Sequence, residues 1–258
     1  MNQFVHVRLS EVNPAIAIIT IDRAPRNAMT VECYEELLGA LQETSQNDKI
    51  LCVILTGAGD QSFVSGGDLS EHAQLDALSA QARTSLIRKV FETTRKHRAP
   101  VIAAVNGYAL GGGLALMASC DIVVAADTAM FSLPEVHVGI MGGTKHLGRL
   151  VPEKIVRWMA LTGNKVSADY FLKLGAVQEV VPLVDLIPTA IKIAQDICRH
   201  SPTAIRLMKE TLNLTEHMPL DEGYHVECFA TSILKSTPDG KEAVNAILEK
   251  RKPNFNHP

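Results

Sequence analysis

The chain has 258 residues, of which 47% are hydrophobic and 21% charged, a balance that excludes general disorder and allows a sizeable buried core. Its formal net charge is −3, and Lys and Arg cluster only briefly, at 95–98 and 250–252, so a nucleic-acid partner is not expected. The five cysteines, Cys33, Cys52, Cys120, Cys198 and Cys228, are odd in number and contain no CxxC pair, which argues against a disulfide framework or a metal site and for a reducing compartment.

No apolar run approaches the roughly 20 residues of a membrane span, and Met1-Asn2-Gln3-Phe4 lacks a signal-peptide pattern. The expectation is a soluble cytoplasmic protein with no membrane partner. Phe4 to Leu9 alternates apolar and polar residues and Ala15 to Ile21 is β-branched and apolar, predicting a strand pair. Thr30 caps a predicted helix to about Gln46, with Tyr34, Leu37, Leu38 and Leu41 on one core-facing side. Ile50 to Leu55 reads as a buried strand. Ser70 to His97 reads as mostly helical, Val101 to Val105 as a second buried strand, and Leu114 to Ser119 as a short apolar helix. Asp121 to Ala125 and Ala129 to Leu133 read as further strands. This alternation predicts an α/β fold.

From about Val181 the pattern changes. Leu183 to His200, Thr203 to Leu214, Leu220 to Lys235 and Gly240 to Arg251 are four predicted helices separated by Pro or Gly breaks. The expected organisation is an α/β core over 1–182 and a helical subdomain over 183–258 that packs on a neighbouring subunit.

Two glycine-rich loops follow buried strands: Ser62-Phe63-Val64-Ser65-Gly66-Gly67-Asp68-Leu69 and Val105-Asn106-Gly107-Tyr108-Ala109-Leu110-Gly111-Gly112-Gly113. Glycine admits a ligand close to the backbone, and the triple glycine opens a helix whose free N–H groups suit a developing oxyanion. The same glycines also suit tight turns and close helix–sheet packing. The spacing is not GxGxxG, and neither a GxxxxGK[ST] loop nor a GxSxG elbow is present. A third segment, Phe131-Ser132-Leu133-Pro134-Glu135-Val136-His137-Val138-Gly139, places Glu135 in apolar surroundings, where a carboxylate's pKa rises toward neutrality.

The order SGGDL, NGYALGGG, CDI, then FSLPEVHVGIMGGT resembles the crotonase superfamily, the enoyl-CoA hydratase/isomerase family. Ile21-Asp22-Arg23 with Asn27-Ala28-Met29 is similar to its opening motif, and Leu248-Glu249-Lys250-Arg251-Lys252-Pro253 to its C-terminal helix. The resemblance runs from about residue 10 to residue 255. It implies a spiral of ββα units, usually a homotrimer or dimer of trimers, acting on acyl-CoA thioesters with no cofactor beyond the CoA of the substrate. By resemblance, the N–H groups of Gly67 and Gly112 form an oxyanion hole. Val64, Ser65, Asp68 and Leu69 lie along the CoA, and Arg23, Arg26 and Lys250 (or Lys252) meet its phosphates, the lysine from a neighbouring subunit.

Hydratases of this family carry two glutamates, and here the first position is Ala115 while Glu135 keeps the second. One carboxylate suffices to move a double bond, removing an α-proton and returning it at the γ-carbon, so isomerisation or a non-standard hydration is expected. Decarboxylation, hydrolysis or retro-aldol cleavage of an acyl-CoA is the alternative within the superfamily. A non-catalytic acyl-CoA-binding subunit is the alternative outside it. If 134–138 is extended, His137 shares a face with Glu135 and assists it. His72 and Tyr108 are further candidates to compensate for Ala115, and His146 is expected on a helix surface.

Overall fold

The computed structural model describes residues 3–255; the outermost ends of both expected domains, 1–2 and 256–258, lie outside them. The chain opens with an antiparallel pair, β1 (Val5–Leu9) and β2 (Ile16–Ile21), and helix α1 (Val31–Gln46). Thr30 caps α1 as expected, its side chain accepting from the Cys33 N–H at 3.3 Å.

A unit of two strands and a helix then repeats. Its first turn is β3 (Cys52–Gly57), β4 (Ser62–Val64), a short α2 (Leu69–His72) and α3 (Ala77–Arg95). Its second is β5 (Val101–Val105), β6 (Tyr108–Leu110) and α4 (Gly112–Ser119). Its third is β7 (Ile122–Ala126), β8 (Met130–Ser132), a 3-10 helix over Pro134–Val138 and α5 (Thr144–Leu147). Each turn gives its first strand to one sheet and its second to another. The larger sheet runs β1-β2-β3-β5-β7-β10 and the smaller β4-β6-β8-β9. Within each sheet the strands contributed by the three turns pair parallel. This is the expected spiral of ββα units.

Helix α6 (Glu153–Thr162), strand β9 (Val166–Ser167), α7 (Ala168–Lys173) and β10 (Glu179–Val181) complete the sheets. Helices α8 (Leu186–Cys198), α9 (Pro202–Thr215), α10 (Leu220–Ser236) and α11 (Pro238–Leu248) follow, close to the four helices read from the sequence.

The wholly apolar strands are buried on both faces. Val53 and Leu55 of β3, with Val101, Ala103 and Val105 of β5, join the main core against α1, α3 and α4. The alternating residues Cys52, Ile54, Ile102 and Ala104 instead meet Leu186, Ala190 and Ala194 of α8. Farther along, Lys209 of α9 is buried and reaches Asp121 Oδ2 at 2.7 Å and the Ala99 carbonyl at 3.1 Å. It ties the helical segment to the β5 and β7 ends.

Ser70 to His97 is mostly helical as expected, with a break after His72, where Asp76 starts α3 with a reciprocal cap to Ser79. Two other expectations change. The glycine loops contain the short strands β4 and β6. Residues 134–138 are helical, not extended, because Pro134 sits at the first helical position, where its missing N–H costs nothing. Among the described residues, no helix is long and apolar enough to cross a membrane.

Candidate active site

Gly67 follows β4, and Gly112 opens α4 directly after β6. The loop carrying Gly67 is pinned from both sides: Met29 N–H donates to the Gly66 carbonyl at 2.9 Å, and Asp68 N–H donates to the Met29 carbonyl at 3.0 Å. The Gly67 N–H between them has no acceptor among the described residues, and neither does that of Gly112. Gly111 precedes α4 at φ +54 and offers no side-chain cap, so the helix start is left with open donors. Two N–H groups on neighbouring loops are therefore left without an acceptor among the described residues.

Glu135, second residue of the 3-10 helix, stands at this helix start. A methyl group on Gly111 would come within 2.6 Å of Glu135 Oε1, and one on Gly142 within 3.0 Å. Close approach to the carboxylate, as well as the positive φ, thus requires glycine at 111. Glu135 Oε2 is buried without a hydrogen-bond partner, and burial raises the carboxyl pKa above its ordinary 4.5. One turn into α4, Ala115 is fully buried and supplies no second acid or base. Glu135 also lines a cleft of about 930 Å³ with Leu133, Ile140, Met141, Val156 and Leu161.

Asp68 caps α2, accepting from the N–H groups of Ser70 at 2.9 Å and Glu71 at 3.3 Å, and pairs with Arg23 Nη2 at 2.8 Å. The Ser70 hydroxyl, these backbone donors and Arg23 lower its pKa to about 2. Arg23 also donates to the Ala28 carbonyl at 2.8 Å. Its guanidinium thus also holds this loop, a role the sequence did not suggest. Arg26 is exposed, Ser65 and Leu69 flank the Gly66–Gly67 turn, and Val64 is buried in β4. Lys250, exposed at φ +54, lies in the turn just after α11, which packs on α9 and α10.

His137 does not join Glu135. Two residues on in a 3-10 helix point to different sides, and its ring lies against Gly163, where any Cβ would collide with Nε2. Tyr108 turns outward and its ring lies 4.8 Å from Lys165 Nζ. His72 is half-buried in the last turn of α2. His146 is half-buried against Phe91, with ring centroids 5.0 Å apart, and is not a plain surface residue. Two residues near the hole were not singled out from the sequence as site residues: Tyr34, read as core, and Arg83 of α3. Neither belongs to a glycine motif, and only the packing of α1 and α3 brings them there.

A family model described as enoyl-CoA hydratase/isomerase matches residues 11–258. The chain belongs to the enoyl-CoA hydratase/isomerase family. It is 38% identical over 241 residues to a short-chain-enoyl-CoA hydratase of Clostridium acetobutylicum, covering 92% of each chain. It is 36% identical to a crotonyl-CoA hydratase of Syntrophomonas wolfei, covering 95% of this chain and 96% of the relative. The crystal structure of an enoyl-CoA hydratase from Bacillus anthracis superimposes with a TM-score of 0.94 at 33% identity, covering 99% of this chain and all of the other. The expected crotonase fold and the acyl-CoA enzyme class both hold for this enoyl-CoA hydratase/isomerase family member.

Proposed function

We propose that this protein moves the double bond of an enoyl-CoA thioester between the 3- and 2-positions through a dienolate. The observation that carries the reading is a single buried carboxylate, Glu135, against the open end of α4, with Ala115 one turn in. Ionised Glu135 removes the α-proton, the electrons pass into the thioester oxygen held by the Gly67 and Gly112 N–H groups, and the new carboxylic acid returns the proton at the γ-carbon. The acceptor and the donor of the proton are the same side chain, so the enzyme ends as it began. The raised pKa suits this two-way traffic, because burial makes the carboxylate a stronger base and eases its protonation.

The apolar cleft beside Glu135 accommodates the acyl chain. Arg26 and a lysine from the Lys250 region of a second subunit meet the CoA phosphates, and no cofactor beyond CoA takes part. Assembly as a trimer or dimer of trimers through 183–258 is supported by the exposed Leu212, Leu220, Phe229, Ile247 and Leu248. Sizing the full chain and a chain ending at Val181 tests it; a monomeric full chain refutes it.

Hydration of a 2-enoyl-CoA is the second reading, favoured by relatives that carry hydratase names. It requires Glu135 alone to serve both the water and the α-carbon. Incubation with 3-enoyl-CoA and 2-enoyl-CoA separates the two by mass spectrometry: isomerisation leaves the mass unchanged while the conjugated thioester absorbance grows, and hydration adds one water. A protein that hydrates 2-enoyl-CoA rapidly and leaves 3-enoyl-CoA untouched overturns the isomerase reading.

A further inference from the structure

Tyr34 lies on the apolar face of α1 among Leu37, Leu38 and Leu41, and is only 2% exposed. Its hydroxyl, however, forms no hydrogen bond with any described group. Unlike Glu135 Oε2, the hydroxyl is not sealed from solvent, so it stands free to donate to a group that enters there. The hydroxyl is directed at the site: a methyl group on Gly112 would lie 3.0 Å from Tyr34 Oη. The ring is fixed from the opposite loop. Arg83 lies 5.8 Å from its centroid, is held by Glu71 Oε2 at 3.1 Å, and stands where a side chain on Gly67 would strike its guanidinium. Glu71 in turn accepts from the Val31 N–H at 2.9 Å, at the start of the helix that carries Tyr34. Tyr34 thus sets its hydroxyl beside Gly112, while Arg83 stands between its ring and Gly67.

We infer that the Tyr34 hydroxyl is a third hydrogen-bond donor to the substrate's thioester oxygen, making it a catalytic residue of this site. A ring needed only for packing would be served as well by phenylalanine; the hydroxyl adds a donor that matters where a ligand comes to meet it. Burial also raises the phenol's pKa above its ordinary value of 10, so it stays protonated and able to donate across the working pH range. A neutral donor strengthens as negative charge builds on the oxygen and loses little in the ground state, which is the pattern that lowers a barrier.

The inference rests on the reading of Gly67 and Gly112 as the oxyanion hole. Acetoacetyl-CoA serves as probe, because its enolate absorbs where the keto form does not and reports stabilisation of an oxyanion directly. Wild type is expected to hold a larger enolate fraction than free probe at the same pH. Tyr34→Phe is expected to lower the bound enolate-to-keto ratio roughly tenfold and kcat roughly tenfold to hundredfold, with KM little changed. Its melting temperature is expected to match or exceed that of wild type, since the lost hydroxyl has no protein partner. Equal enolate fractions in the two proteins overturn the role of Tyr34, as does a lower melting temperature with an unchanged enolate fraction. A wild type that adds nothing to the free probe's enolate overturns the oxyanion hole itself, and Tyr34 with it.

Discussion

Replacing Glu135 by Gln removes the only carboxylate set against the start of α4 while keeping its shape. If Glu135 carries both proton transfers, turnover falls by roughly 10²–10⁴-fold, about 3–5 kcal/mol on the barrier, with CoA-ester binding nearly unchanged. Stability must move the other way. Because burial raises the folded-state pKa above 4.5, the fold favours the protonated carboxyl. The stability it contributes is complete below about pH 4.5 and is lost as pH rises through the folded-state value. The unpaired Oε2 is the atom that bears this cost once ionised. Glutamine does not ionise, so Glu135→Gln should melt at or above the wild-type temperature at pH 8, the gap closing toward pH 4. The wild-type kcat/KM profile should show an acid limb above 4.5, absent from any residual activity of the variant. Melting curves from pH 4 to 8, with initial rates on the preferred enoyl-CoA, provide both readouts. A variant that keeps more than a tenth of wild-type kcat, or that loses several degrees at pH 8, refutes the assignment.

Asp68→Ala should destabilise the Gly66–Gly67 loop by about 2 kcal/mol, the worth of a pKa lowered from 3.8 to about 2, or roughly 4–8 °C if the loop melts with the whole. The stabilisation is present above pH 3.8 and is lost as pH falls toward 2, so wild type and variant should converge in strong acid. Lys209→Ala leaves Asp121 at a partly buried position without its cation and should cost about 3–5 kcal/mol; denaturant melts check it, and restoration by adding Asp121→Asn distinguishes lost pairing from lost packing. Gly113→Ala drives a methyl into the Val64 carbonyl, with Val64 Cβ at 2.8 Å, forcing α4 off β4. It should cost about 1–3 kcal/mol and lower activity in soluble protein, whereas Gly39→Ala, in open space on helix α1, should leave the site intact.

The sequence carried most of the main chain. The apolar runs at 50–55 and 101–105 and the Thr30 cap announced their elements because their signals are local. Strands β4 and β6 were hidden inside glycine loops, three residues each and recognisable only through pairing with one another and with β8. The segment from Thr144 to Val181 had no expectation attached to it, since its short helices interleave with two brief strands. At the site, Gly67, Gly112 and Glu135 were legible as motifs, and the structure brings Glu135 up to the helix that Gly112 opens. His137 failed because period-2 reasoning was applied to a turn that Pro134 makes helical. The Arg23–Asp68 pair was not legible, because nothing local in the sequence joins residues 45 positions apart. Tyr34 could not be found: its hydroxyl's destination depends on how α1 meets α4, far away in the chain.

The parallel pairing of β4 with β6, Ser62 to Tyr108 and Val64 to Ala109, has a consequence for chemistry. Gly67 and Gly112 lie shortly after the ends of these neighbouring strands, so the separation of the two loops in the proposed oxyanion hole is set by hydrogen-bonded strands, roughly 4.8 Å apart. The side chains at 34 and 135 hang from other elements, and that at 115 projects from the next turn of α4, so each can be exchanged without moving the strands. A fold organised this way holds its electrophile-binding gauge constant while its acids and bases change, so a new reaction begins from a site that already stabilises the hardest intermediate.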